Sequence, residues 1–386
     1  MDFAWDAETE AVRREVRDLL AEQLTPEVED HLYATGESHD DAFVRALGAR
    51  DWIAPEWHDG GTPLDPAHAH VMEEELARAE APFYAVSTAT MVGRVIASDG
   101  SEELRSAILP KIARGEVAIA LGMTEPEAGS DVAAVQTRAR SVHDGAGWVI
   151  DGQKMFTTNA HAADYVFLLA RTDPDSERHR GLTTFLVPLD RRGIEVQAVR
   201  TLSGERTNIT FYSEVFVEDS WRISDIDGGW RSLMLALQDE HSAQFSPHLA
   251  RLLHAAERWA AEPGTDGAAP IVRDDVRRRL VQAATDLEVA RLLEARTTWM
   301  EANGDVPVAE GPMSKLFSTE AAVRRAEDLT ALVGPDALRS RGDATAVAGG
   351  HIEHALRFSL GTTIYAGTSE VQRNIIAQRR CGLPRA

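Results

Sequence analysis

A chain of 386 residues exceeds what one hydrophobic core organises, so two or three packed domains are expected. Apolar residues at 44 % and charged residues at 26 % suit a water-soluble fold, and a formal net charge of −22 repels nucleic acid and anionic lipid. The single cysteine, Cys381, excludes an intrachain disulfide. No apolar run reaches the roughly eighteen residues a membrane span needs. The opening Met-Asp-Phe-Ala-Trp-Asp-Ala-Glu lacks the apolar core of a secretory leader, so a cytoplasmic location is expected.

Residues 1–117 read as helical. Glu8 to Leu24 places Val12, Val16, Leu19 and Leu20 on one face, and Val71 to Ala81 is rich in Glu, Ala and Leu. Ser101-Glu-Glu-Leu has the serine-then-acid form of a helix start, and Leu109-Pro110 is expected to break the run. Residues 118–227 change to short β-branched and aromatic runs: Trp148 to Ile150, Tyr165 to Ala170, Thr183 to Val187 and Val215 to Val217. Asp144-Gly145 and Asp151-Gly152 read as tight turns. Residues 228–386 return to helical patterns, Trp230 to Ala261, Arg273 to Asn303 and Met313 to Val333, with a last helix from Ser369. Glu262 to Pro270 is a Pro/Gly linker. Helices, then strands, then helices make an α+β protein of three domains, 1–117, 118–227 and 228–386.

Three segments carry chemistry rather than periodicity. Leu121-Gly-Met-Thr-Glu-Pro-Glu-Ala-Gly-Ser-Asp131 packs hydroxyls, a glycine and acids into a short polar stretch. Glycine allows close backbone approach, and hydroxyls with free amides can hold a phosphate or the edge of a heteroaromatic ring. A strand ending in a polar turn is the plain reading of Thr-Glu-Pro alone. Gly152-Gln-Lys-Met-Phe-Thr-Thr-Asn159 is by itself only a strand, with core packing the ordinary role of Phe156. Ile364-Tyr-Ala-Gly-Thr-Ser-Glu-Val-Gln372 opens the last helix, where free amides can face a phosphate and where Thr368 or Ser369 would also serve as a plain N-cap.

Together these segments resemble the signatures of the acyl-CoA dehydrogenases, FAD enzymes that desaturate a thioester between its α and β carbons. The resemblance covers essentially the whole chain. It implies an N-terminal helical domain, a middle β-barrel-like or sandwich domain and a C-terminal four-helix bundle. It also implies FAD contacts from Met123, Thr124, Gly129, Ser130, Phe156, Thr158, Ala366, Thr368 and Glu370. Phe156 would lie against the flavin, and Thr158 would hydrogen-bond near its N5. Ala366 stands where many members carry the glutamate base. Relatives that share Ala-Gly-Thr-Ser-Glu, the isovaleryl-CoA type among them, place that glutamate on a central helix. Laid on Gly228 to Glu240, the pattern puts the base at Glu240. Asp239 sits about 100° round the helix and cannot aim at the same atom. His241 follows where relatives often have Arg. An electron-transfer flavoprotein is the acceptor the family implies.

Two departures bear on assembly. Members usually lend an Arg-x-x-Phe-Gly turn and a Gln-x-x-Gly-Gly segment to a neighbouring subunit's FAD. Here the first region is the 262–270 linker, and the second reads Ala331-Leu-Val-Gly-Pro-Asp336. The chain keeps the half-site it would use and lacks the half it would lend. The pattern is similar to the α2β2 acyl-CoA dehydrogenases of actinobacterial steroid degradation, so a hetero-oligomer is expected, with a homotetramer as the alternative. Ser242, Ala243 and Ala366 are small and admit a bulky acyl group, which the subgroup implies to be a steroid-derived CoA thioester; a branched short-chain acyl-CoA is the runner-up. A same-fold flavin oxidase or monooxygenase, and a non-catalytic partner subunit, remain the alternatives in function. The thirteen histidines show no metal-ligand spacing, and His68 and His70 read as packed or solvated.

Overall fold

The computed structural model of the chain describes residues 4–240, 244–264 and 267–384, the side chains of Gln238, Asp239 and Glu240 excepted. It begins with α1 (Ala7–Gln23), α2 (Pro26–Thr35), α3 (Asp41–Gly48), α4 (Pro66–Arg78), α5 (Tyr84–Asp99) and α6 (Glu102–Ala113). Strands follow: β1 (Ile119–Gly122), β2 (Arg138–Val142), β3 (Gly147–Lys154), β4 (Tyr165–Arg171), β5 (Leu182–Pro188), β6 (Ile194–Arg200) and β7 (Arg206–Glu218). The remainder is helical: α7 (Gly229–Glu240), α8 (Ser246–Ala261), α9 (Asp274–Ala302), α10 (Glu310–Val333), α11 (His351–Thr362) and α12 (Ser369–Arg379). This is the α+β order expected. Among the described residues no helix is long and apolar enough to cross a membrane.

The chain divides into two units, one of Ala21–Leu64 and Ala81–Glu240, the other of Met1–Leu20, Asp65–Glu80 and His241–Ala386. The first is built on a sheet of order β1-β4-β2-β3-β7-β6, with β5 antiparallel to β4. Alternating residues send Trp148, Ile150, Val166, Leu168, Phe185, Val187, Val215 and Val217 into one core. A second cluster joins Ala128, Val135, Leu169 and Leu182 to Leu233 of α7, with Met123, Trp230 and Leu237 packed on it. The start of α7 approaches β5 so closely that a Cβ on Gly229 would sit 2.7 Å from the Cα of Thr183. Ser232 and Arg231 then fasten α7 to Asp99 at the end of α5, at 2.5 and 3.1 Å.

The second unit is a helical bundle. Leu249, Leu252 and Ala256 of α8 meet Val276, Leu280, Ala283 and Leu287 of α9, Ala322 and Leu329 of α10 and Ile352 of α11. Alanines at the crossings let the helices approach closely, and α4 packs on both α8 and α9.

Three local expectations need correction. Pro110 does not end its helix: α6 runs on to Ala113. The lost hydrogen bond and clash cost about 3 kcal/mol, but Leu104, Ile108, Ile112 and Ala113 are all buried, each large apolar side chain being worth about 1.5–3 kcal/mol. Trp230 to Ala261 is not one helix. A new helix starts at Ser246 with Pro247 in its first turn, where the missing N–H costs nothing. Asp151-Gly152 is not a turn but part of β3, opposite a bulge in β7. Pairing steps from Ile150↔Val215 to Gly152↔Tyr212, and Glu214 takes a left-handed φ of 50°. Asp144-Gly145 does turn, with φ of 54° and 91° between β2 and β3. Helix α11 was not expected.

Candidate active site

In the sheet unit, the segments at 121–131 and 152–159 are stapled together by one buried ion pair. Lys154, at the end of β3, is fully buried, and its ammonium lies 2.8 Å from Glu125 Oε1 and 3.2 Å from the carbonyl of Met123. Glu125 also accepts the amides of Gln136 at 2.5 Å and Thr137 at 2.9 Å, so its lone pairs are well used. The amide of Met155 donates to the carbonyl of Thr124 at 2.8 Å. Burial pushes Lys154 down to about 8 against the pull of Glu125. Burial alone would raise Glu125, but Lys154 and the amide donors hold it below the usual carboxylate range. The pair therefore stays charged at neutral pH. Both residues stand inside the signature segments, and two opposite charges within otherwise polar motifs were the signal the sequence held for this pair.

The chain after Lys154 turns sharply. Phe156 adopts φ 56°, uncommon for an aromatic, and the residue is 58 % exposed. Thr157 is clamped from both sides: its amide donates to the carbonyl of Asn208 at 2.8 Å, and Asn208 Nδ2 donates to its carbonyl at 3.0 Å. The hydroxyl of Thr158 lies 3.1 Å from that of Thr207. Thr207 and Asn208 on β7 are thus supports that the sequence did not suggest. Gly129 and Ser130 lie on the surface beyond a closed Glu125–Ala128 turn. Met123 and Ala128 share the cluster that holds Leu233 and Leu237 of α7, so the helix ending at Glu240 belongs with this segment. The side chain of Glu240, with His241, Ser242 and Ala243, lies outside the described residues.

In the helical unit, Thr368 caps α12, accepting the amide of Val371 at 3.2 Å. Glu370 follows in the first turn, its carboxyl held below its usual range by its own amide and by Thr368. Ala366 and Gly367 form a left-handed turn, with φ of 53° and 79°. Gln372 Nε2 donates to the carbonyl of Ala366 at 2.9 Å, and the buried ammonium of Lys315 donates to that of Gly367.

Nearby in the same unit lies an acid that sequence reasoning missed. Glu294 of α9 is buried, and one oxygen accepts the amides of Phe245 and Ser246, each at 2.8 Å. The other accepts the Ser246 hydroxyl at 2.5 Å. Burial raises it to about 7, opposed by those three donors and assisted by the charge of Glu74. A folded-state pKa raised from 4.5 means that folding favours the protonated form. The resulting stability is full below pH 4.5 and is lost as pH rises through 7. Glu294→Gln is expected to remove that slope and to be more stable than the parent at pH 8 by up to about 3 kcal/mol, read from denaturation midpoints across pH 5 to 8.

The residues fit the FAD that the resemblance implies. An exposed aromatic stands beside a positioned hydroxyl in the sheet unit. A Cβ on Gly129 would meet nothing within 4 Å, leaving that backbone open to a close approach. In the helical unit Ser369 Oγ and Gln372 Oε1 are buried without a hydrogen-bond partner, as a missing ligand would leave them.

Comparison with known proteins agrees. The acyl-CoA dehydrogenase N-terminal, middle and C-terminal domain models match residues 6–116, 120–219 and 227–380. Acyl-CoA dehydrogenase FadE26 of Mycobacterium tuberculosis is 30 % identical over 403 residues, covering 100 % of both chains. Among solved structures, the Tcur3481–Tcur3483 steroid ACAD is similar with a TM-score of 0.89 at 30 % identity, covering 100 % of both chains. The ChsE4–ChsE5 complex from Mycobacterium tuberculosis gives the same values, a TM-score of 0.89, 30 % identity and 100 % of both chains.

Proposed function

Because the chain belongs to the acyl-CoA dehydrogenase family, we propose that it desaturates a bulky, steroid-derived CoA thioester between its α and β carbons, with Glu240 as the base. The enzyme is an oxidoreductase of CH–CH bonds and its cofactor is FAD. One observation carries the reading: the Glu125–Lys154 pair welds two signature segments into one wall, and the helix ending at Glu240 packs on that wall.

When bound, FAD supplies the acceptor for the β-hydride. The remaining work falls to the chain. Met123, Thr124, Gly129 and Ser130 would hold the cofactor from the first segment, and Phe156 and Thr158 from the second. Ala366, Thr368 and Glu370 would hold it from the start of α12. Thr207 orients the Thr158 hydroxyl, whose other hydrogen-bonding positions would serve the cofactor. Glu240 takes the α-proton. Ala366 has no titratable group, so the second signature, which supplies the base in many members, cannot do so here. A carboxylate desolvated by thioester and ring would have the raised pKa this proton transfer needs. Electrons would leave through an electron-transfer flavoprotein.

Likeness to the Tcur3481–Tcur3483 steroid ACAD supports the substrate class, and likeness to the two-protein ChsE4–ChsE5 complex supports a hetero-oligomer. So do the chain's own departures, a Pro/Gly linker and Ala331 to Asp336, where members lend contacts to a neighbour's FAD. Expressed alone, the chain is expected to retain FAD poorly, and co-expression with a second acyl-CoA dehydrogenase-like chain should restore one FAD per shared site. A homotetramer holding one tight FAD per chain would refute the assembly. The activity is tested by anaerobic mixing with a panel of CoA thioesters: bleaching of the flavin by steroid-derived thioesters is expected. Flavin that stays yellow with every thioester refutes it, and rapid reoxidation by oxygen would identify an oxidase.

A further inference from the structure

We propose that Glu294 is a positioning residue for the Ala366–Gly367 turn, acting through the ring of Phe245. The proposal rests on the reading that this turn borders the flavin.

The turn needs restraint, because an alanine enters the left-handed region only when its surroundings hold it there. Gln372 holds one carbonyl and Lys315 the next. Both flanks of Ala366 then converge on Phe245. The ring of Tyr365, which precedes Ala366, lies 6.3 Å from the Phe245 ring, centroid to centroid. The ammonium of Lys315, which grips Gly367, lies 5.7 Å from the same centroid. Phe245 is buried and is the residue before α8, where no side chain of its own segment caps the helix.

The carboxylate of Glu294 takes that place, reaching in from α9. A serine or aspartate at the cap would satisfy the same amides from the surface. A buried acid brought from another helix does more: it fixes Phe245 against α9 and so fixes the ring on which the turn leans. Loss of the carboxylate would free the ring, slacken the grip of Lys315 and let the strained turn relax.

The test uses the full chain, with its partner chain where that is needed to retain FAD. The readouts are the Kd for FAD and the visible circular dichroism of the bound flavin. Glu294→Leu is expected to raise the Kd about tenfold and to change the flavin spectrum, whereas Glu294→Gln, which still accepts both amides, restores both. Lys315→Met should add little in the Glu294→Leu background, because both act on one turn. A folded Glu294→Leu with native Kd and spectrum overturns the proposal, as does full additivity with Lys315→Met. Should Glu294→Leu fail to fold, Phe245→Leu leaves the carboxylate its donors and carries the same expectation. Thr368→Val separates the two levels: if it leaves FAD binding unchanged, the placement of the turn beside the flavin fails, whatever Glu294 does.

Discussion

Glu240→Gln is expected to slow flavin reduction by an acyl-CoA about 10²- to 10⁴-fold while leaving FAD bound. The size follows from the task. An α-proton must leave as the β-hydride departs, and glutamine keeps the shape of glutamate but cannot take a proton at neutral pH. Ala366 offers no titratable group, and on an ideal helix the neighbouring Asp239 would point about 100° away from Glu240. The helix should not move, since Ser232 and Arg231 hold its first turns on Asp99 and Leu233 and Leu237 bury its inner face. FAD content, measured by absorbance after gel filtration, therefore serves as the control. Anaerobic rapid mixing is the measurement. Bleaching at the native rate in Glu240→Gln would remove this residue from the chemistry.

The second large effect is structural. Lys154→Met is expected to cost about 3–5 kcal/mol, because it strands Glu125 as a buried charge with no counter-ion. The loss should be greatest at high pH, where the stranded acid is ionised, and should shrink as pH falls and Glu125 takes a proton. FAD should also be lost, since the carbonyls of Met123 and Thr124 are held by the same staple. Adding Glu125→Gln to Lys154→Met removes the orphaned charge and is expected to recover most of the stability. Thermal denaturation of the three proteins, scanned over pH, checks this. A single variant that melts like the parent would show that the pair contributes nothing.

Much of the fold was legible because it is local. Long periodic runs marked α9 and α10, β-branched runs marked β4 and β5, and Thr368 announced the start of α12. What escaped was decided at a distance. Pro110 looked like a stop because the buried face of α6 that outweighs it was not visible from its neighbours. The break before α8 was written as Ser246-Pro247, yet its partner Glu294 lies 48 positions away. Lys154 and Glu125 read as ordinary charges in two separate motifs, being 29 positions apart. The motifs of the site could be found by residue type and spacing, but its supports could be found only by folding.

The bulge opposite Gly152 has a consequence for the strand that carries those supports. Beyond the bulge, β7 buries its odd-numbered residues, Val215 and Val217; before it, the even-numbered Asn208, Thr210 and Tyr212 are buried, with Thr207 beside them at the strand's start. The extra residue switches parity partway along a single strand. One half can then line a greasy interior while the other offers an amide and hydroxyls beneath Thr157 and Thr158. Deleting Ser213 would restore strict alternation and leave Asn208, Thr210 and Tyr212 on the face of Val215 and Val217, so the clamp should outlast the bulge.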